Sequence, residues 1–257
     1  MLRERENRGL KFVLTIVTIL SITPAIRAEC ADIIAFCEFF PPYSYEEQGQ
    51  PRGMAVDVLK ESCSKAGLAC EIRFLPWARA YREALATPNS LLFPTVRTPQ
   101  RDSSFSWIGP IAYRESWLFA LADSQIRINQ MRDLASYRIG VVNSEASYQE
   151  LLTLGLPPSS FDVSTTTANM TSKLLHRRVD VAASTPNAIT TLLEHEGASY
   201  GSVRKVFRIS RAGYYFALNP RIDAGIAERL TRGLTDVASA GYVKEAIERY
   251  GLQDVEP

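Results

Sequence analysis

The chain has 257 residues, a net charge of +1, and an apolar share of 46% against 22% charged. Such proportions belong to a globular protein that buries a core, in one large domain or two small lobes. The near-neutral balance argues against a nucleic-acid binder, which normally carries a basic surplus.

The chain opens with Arg3, Arg5, Arg8 and Lys11, then the apolar run Phe12–Ile22, a break at Pro24, and Ile26-Arg27-Ala28. That order predicts a secretory signal peptide over residues 1–28, cleaved after Ala28, and a periplasmic location. The run is short for a transmembrane helix, which needs about 20 apolar residues, although an uncleaved anchor is the alternative. Removal of the peptide leaves 24 basic and 26 acidic groups, a net of −2.

All four cysteines, Cys30, Cys37, Cys63 and Cys70, fall in the first third. Export permits disulfides. Cys63 and Cys70 flank a helix end and Gly67, where the chain can double back, so they are the expected pair. Cys30–Cys70 is the second choice, because both would start neighbouring strands. Cys30 and Cys37 on one strand are too far apart to join. No C-x-x-C occurs, and His176 and His195 lie far away in sequence, so neither a metal nor a cofactor is expected.

Ile33–Phe36 reads as a strand, followed by an aromatic and proline loop, Phe39–Tyr43, and a polar, turn-rich stretch, Gln48–Gly53. Val56, Leu59 and Cys63 share a helical face, which predicts a helix over Met54–Ala66 that stops at Gly67. Glu71–Leu75 reads as a strand. Pro76 opens a helix over Trp77–Ala86, and Leu91–Thr95 is a third strand. This alternation predicts a parallel sheet with ligands at the carboxyl ends of its strands. The loops Cys37–Tyr45, Pro76–Arg79 and Thr95–Arg101 would then converge on one crevice.

The stretch Thr95–Pro110 places Arg97 and Arg101 after the third strand, ahead of Phe105-Ser106-Trp107-Ile108. A guanidinium beside aromatic walls suits a carboxylate, since it offers a flat fork of donors and keeps its charge. Two solvated arginines near a turn are the plainer alternative. Trp117–Ala122 is the next strand. Arg138–Val142 follows, and Asn143–Ser147 opens a helix through Leu152. Ser144 is a fitting N-cap, and free N–H groups there form an anion site. Thr166–Leu175 and Pro186–His195 read as helices around a strand at Val179–Ala183. Val203–Ile209 and Tyr214–Leu218 read as two strands, and Ala224–Tyr250 as a helical stretch broken at Gly241.

The segment around Arg101 resembles the T-x-x-R-x-x-F-S-x-P segment of the bacterial extracellular solute-binding proteins of family 3, the amino-acid-type receptors of ABC importers. Pro42-Tyr43, Gly53–Leu59, Ile139–Val142, Arg178–Val181 and Gly241–Tyr250 resemble further family motifs in the family's order. Pro76–Arg79 and Trp107–Pro110 resemble a less-studied branch. The resemblance implies an α/β, two-lobed periplasmic binding protein type II fold. Each lobe would be a mainly parallel sheet flanked by helices, and two hinge strands, Trp117–Leu121 and Tyr214–Leu218, would join them. Residues 29–116 and 214–257 would form lobe 1, and residues 117–213 lobe 2.

By the same resemblance, Arg101 clamps a ligand carboxylate, although Val96 stands where Ser or Thr is usual. Phe40, Tyr43, Trp77, Arg79, Arg97 and Trp107 are the other ligand-binding candidates of the first lobe. Ser144 and Ser147 are those of the second. The family's ammonium-binding acid is absent, since Asp180 is followed by Val181-Ala182-Ala183-Ser184-Thr185. Either Glu38 or Glu145 substitutes, or the ligand lacks an α-amine. The implied function is capture of a small carboxylated solute by a monomer, for delivery to an ABC permease. An enzyme similar to cyclohexadienyl dehydratases, using Glu38 and Glu145, and a stand-alone sensor are the alternatives.

Overall fold

The computed structural model describes residues 31–143 and 145–252. Residues 1–28, Cys30 and Ser144 therefore lie outside the described residues.

The first half of the chain builds β1 (Ile33–Cys37), β2 (Tyr45–Glu47), β3 (Gln50–Arg52), α1 (Met54–Ala66), β4 (Cys70–Phe74), α2 (Trp77–Ala86) and β5 (Ser90–Val96). β1 lies between β4 and β5, parallel to both. The two-residue period of a strand divides β1 between two cores. Ile33, Ala35 and Cys37 face α1 and the C-terminal helices. Phe36 faces the other way, with Trp77, Ala80 and Ala84 of α2 and Leu92 of β5. β5 is buried at every position, as a central strand covered on both faces should be.

β2 and β3 form a small hairpin where a loop was expected. Gln48 and Gly49, both at positive φ, turn it. Such paired left-handed residues match the twist of a two-residue hairpin turn.

α1 begins at Gly53 and ends at Gly67, which has the left-handed conformation of a helix stop. Gly53 sits at φ 121°, and a Cβ there would lie 2.3 Å from the Tyr43 carbonyl oxygen. Only glycine fits so close an approach. Cys63 and Cys70 are disulfide-bonded, with 6.3 Å between their Cα atoms. Cys37 is a buried free thiol.

Two 16-residue strands, β6 (Ser106–Leu121) and β10 (Val203–Leu218), pair antiparallel along their length. The strand expected over Trp117–Ala122 starts at Ser106, and the two strands expected over Val203–Ile209 and Tyr214–Leu218 are one. Trp107–Pro110 is part of a strand, and residues 203–218 form one strand interrupted by register shifts. Short-range breakers, Gly109-Pro110 and Gly213, yield to a long ladder of tertiary pairing.

Beyond them lie β7 (Ile139–Val142), α3 (Ala146–Thr153), β8 (Phe161–Ser164), α4 (Thr167–Leu175), β9 (Val181–Ser184) and α5 (Pro186–His195). The whole sheet runs β4-β1-β5-β10-β6-β9-β7-β8. Parallel triplets thus flank a central antiparallel pair that serves both halves. In the second half Leu118 and Ala120 face one core, and Phe119 faces the other with Met170, Ile189 and Leu193.

The chain returns to the first half with α6 (Ala224–Ser239) and α7 (Tyr242–Arg249). Gly233 lets α6 lie close to α1, since a Cβ there would be 2.3 Å from the Ser62 carbonyl oxygen. Several sequence motifs prove to be fasteners. Asp57 accepts from Tyr250 Oη at 3.0 Å and pairs with Arg249, while Gly53 N–H donates to the Tyr250 hydroxyl. Asp180 accepts from the Arg138 N–H at 2.7 Å and so ties the approach to β9 onto the start of β7.

Candidate functional site

The carboxyl ends of β1, β5 and β9, the start of α3 and the midpoints of β6 and β10 converge on one cavity. Its volume is about 50 Å³, far below the roughly 300–1,000 Å³ of open ligand pockets. The two halves are closely apposed around it.

Arg101 follows β5 in a tight turn. Its N–H donates to the Thr98 carbonyl, and its own carbonyl accepts from Ser104. The side chain is only 4% exposed. Its Nη1 donates to the Val96 carbonyl at 3.2 Å, and the guanidinium lies 5.1 Å from the Trp77 ring centroid and 5.8 Å from that of Tyr81. Burial pulls its pKa down to about 10, assisted by Arg114 and opposed by Tyr81, Glu145 and Glu150. The group is therefore charged at neutral pH and held at an energetic cost.

A second buried arginine, Arg114 on β6, also lines the cavity. Its Nη2 donates to Glu150 Oε1 at 2.9 Å, and Glu150 Oε2 accepts from Ser210 at 2.7 Å. This network joins α3 to the central strands.

Two carboxyls face the same space. Glu38, 9% exposed, lines it and accepts no hydrogen bond from a described residue. Burial raises its pKa well above the usual range, the charge of Glu145 adds to that, and Arg101 opposes it. Glu145 precedes α3 and accepts from Thr167 Oγ1 at 3.1 Å. Burial raises its pKa too, against the Thr167 bond, Arg114 and Arg101. Two lining hydroxyls, Ser116 Oγ and Ser184 Oγ, are buried with no hydrogen-bond partner among the described residues. Buried polar atoms without partners are costly and point to a polar guest.

Of the residues singled out from sequence, Arg101, Phe40, Trp77 and Ser147 line this cavity. Tyr43 packs behind it, stacked on Phe40 at 5.2 Å, and its hydroxyl accepts from Asn187 of α5. Three other candidates lie away from this cavity. Arg97 is exposed and paired with Asp102, since β5 ends at Val96 and Arg97 lies just past its covered end. Arg79 sits on the solvent side of α2, 3.8 Å from Glu83, while Trp77, Ala80 and Ala84 take the buried side. Trp107 packs edge-on against Phe105 and Tyr215 outside the cavity, its indole N–H donating to the Asp102 carbonyl.

Arg114, Ser116, Thr167, Ser184 and Tyr214 were not anticipated. A signal for the first two exists. Ala112, Arg114, Ser116 and Leu118 share one buried phase of β6, so Arg114 repeats in step with apolar residues.

The model of the bacterial extracellular solute-binding proteins, family 3, matches residues 32–253. No curated protein sequence gives a match. Among solved structures, a histidine kinase sensor domain with similarity to periplasmic binding proteins is 18% identical, at a TM-score of 0.78 over 88% of this chain and 97% of that one. The arginine-, lysine-, histidine-binding protein ArtJ from Geobacillus stearothermophilus is 16% identical, at 0.75 over 87% and 96%. Holo ArgBP from T. maritima is 16% identical, at 0.69 over 85% and 94%. These similarities establish the two-lobed fold of periplasmic binding proteins. Among the described residues no helix is long and apolar enough to cross a membrane.

Proposed function

The chain belongs to the bacterial extracellular solute-binding proteins of family 3, and from that premise we propose that it captures a small carboxylate-bearing solute between its lobes and presents it to an ABC-type permease. The lobes in this reading are residues 29–116 with 214–257, and residues 117–213. The protein works in the periplasm as a monomer, after cleavage behind Ala28.

The observation that carries the reading is Arg101, a charged guanidinium buried in the cavity between the halves and laid over Trp77. Holding that charge away from water is unfavourable unless an anion repays it. A carboxylate there would also meet the start of α3, where Ala146 and Ser147 line the cavity and the helix N-terminus favours negative charge. Closure of the lobes around the solute would display the loaded state to the permease.

Mass spectrometry of small molecules that copurify with the protein tests this. The expected result is a carboxylate that rebinds the emptied protein and loses about tenfold or more in affinity with Arg101→Ala. Undiminished binding to Arg101→Ala would remove the carboxylate clamp.

One observation favours a second reading, a lyase on the same fold. Glu38 is a buried carboxyl whose pKa burial raises well above its usual range, the direction a general acid needs. Recovery of a converted product, rather than the added compound, would select this reading.

A further inference from the structure

A second hollow encloses about 300 Å³, against about 50 Å³ for the cavity around Arg101. That reaches the lower end of the roughly 300–1,000 Å³ of ligand pockets. It shares no lining residue with the first and is therefore a separate place.

One wall belongs to the first half: Phe39, Pro41, Pro42 and Tyr45. Glu38 and Phe40 line the Arg101 cavity, and Phe39 between them lines this one. Phe39 is 54% exposed, the most exposed large apolar side chain among the described residues. The loop that carries it is well fastened. Phe40 N–H donates to the Ser44 carbonyl at 2.6 Å, and Ser44 Oγ to the Glu38 carbonyl at 2.8 Å. The Pro42 and Tyr43 carbonyls accept from the first N–H groups of α1, each at 3.0 Å. The ring is thus presented on a rigid turn before anything binds.

The other wall belongs to the second half. Asn187, Thr191 and His195 recur every fourth residue of α5 and so share one face of the helix. Asn187 Nδ2 donates to the Tyr43 hydroxyl at 3.2 Å, which brings that face to the loop. Thr191, Leu192 and His195 then line the hollow, with Ala168 of α4 beside them.

No Asp, Glu, Lys or Arg is among the described lining residues, whereas Glu38, Arg101, Arg114 and Glu145 surround the first cavity. An ionic solute would lose its water here without compensation. A peptide segment would bring backbone N–H and C=O groups that prolines and aromatic rings cannot satisfy. A flat ring suits the space, because Phe39 and Tyr45 offer faces and edges for aromatic pairing. His195, Thr191 and the Tyr45 hydroxyl supply the few hydrogen-bonding groups that would orient it.

We propose that this hollow is a second binding site, for a small uncharged molecule carrying an aromatic ring, gripped by Phe39 and Tyr45 of one half and α5 of the other. The site stands whether or not Arg101 holds a carboxylate. Separating the halves would part its two walls. An occupant therefore favours the apposed arrangement by the difference between its affinities for the two states. By linkage, a solute that needs the same arrangement is held more tightly while the ring is bound, and the reverse.

The chain has two histidines, so His195 is a reporter inside the site and His176 a control outside it. Mature protein labelled with ¹⁵N in its histidine rings is titrated with phenol, indole and 2-naphthol, and His176→Gln assigns the signals. At least one probe should move the His195 signals, saturating below about 1 mM, and leave those of His176 in place. Phe39→Ser, which removes an exposed ring, should weaken this binding about fivefold. Thr191→Trp should fill the hollow and abolish it, and Ala168→Trp should do the same from α4.

Absence of a saturable shift with all three probes overturns the site, as does joint movement of both histidines. Binding that survives undiminished in Phe39→Ser, or in both tryptophan variants, overturns it too. A dimer in sedimentation velocity that Phe39→Ser dissolves would give the hollow to a second copy of the chain and refute the aromatic ligand. Failure of the Arg101 clamp reads out separately, in binding of the copurifying carboxylate, and alters none of these results.

Discussion

Replacing Arg101 by methionine separates the demands of binding from those of folding. The folded pKa of about 10 against an ordinary 12.5 means that the charged form is destabilised in the native state. At about 1.4 kcal/mol per unit, the cost is about 3 kcal/mol at every pH below 10. It is recovered only as pH rises through 10 toward 12.5, where the folded arginine can shed its proton. Among the contacts that offset that cost are the hydrogen bond to Val96, worth about 1 kcal/mol, and the contacts with Trp77 and Tyr81, the first worth about 0.5–2 kcal/mol. Methionine regains part of the packing. The empty Arg101→Met protein should therefore match the wild type or exceed it by up to about 2 kcal/mol. For a protein of this size that is a rise of about 0–8 °C in Tm. Binding of the copurified solute should fall by about tenfold or more in the same variant. Differential scanning calorimetry of stripped protein, beside titration calorimetry, reads both quantities. A drop in Tm of more than about 5 °C would show that Arg101 holds the fold together.

Glu38→Gln should flatten the pH dependence of stability. A carboxyl whose folded pKa is raised stabilises the native state least once pH exceeds the folded value, so wild type should lose Tm relative to the variant as pH climbs from about 4.5. Parallel Tm profiles from pH 4 to 8 would contradict the upward shift. Removing the Cys63–Cys70 bridge with paired serines should cost about 2.5 kcal/mol by loop entropy, read as a lower urea midpoint, and peptide mapping without reductant should recover the bridged pair from wild type. Gly53→Ala must move the Tyr43 carbonyl or abandon φ 121°, and should destabilise by about 1–3 kcal/mol in urea. A neutral result would mean that the start of α1 tolerates a side chain.

Local patterning was enough for the parallel strands and the helices of the first half, though not for the β2–β3 hairpin. Met54–Ala66 and Trp77–Ala86 are helices with the expected bounds, because their apolar spacing, Pro76 and Gly67 agree on where each starts or stops. The bridge between Cys63 and Cys70 followed from the chain doubling back at Gly67. The central pair of strands was harder to read. Gly109-Pro110 and Gly213 look like breaks to any local rule, whereas the pairing that overrides them joins residues about a hundred positions apart. The same limit applies in the cavity. Arg101 stood out because it follows a buried strand, but Arg114 lay within a strand, where a charge reads as a solvent-facing position. Its partners Glu150 and Tyr214, on other elements, account for its burial. Arg79 and Arg97 lie outside this cavity, since nearness in sequence to it does not fix which way a side chain faces.

The long β10 has a consequence for how the molecule comes into being. β5 takes β1 as one neighbour from within the first hundred residues, but its other neighbour is the far end of β10, where Tyr214 meets Val96 and Leu218 meets Leu91. A ribosome therefore makes β7, β8 and β9, with all the helices between them, before the first half can complete its sheet. The second half needs only a continuous stretch of chain, whereas the first must wait with an open edge on β5. Unpaired strand edges of this kind invite misassociation. The order of synthesis thus leaves the half that supplies Arg101 and Glu38 as the last part of the molecule to close.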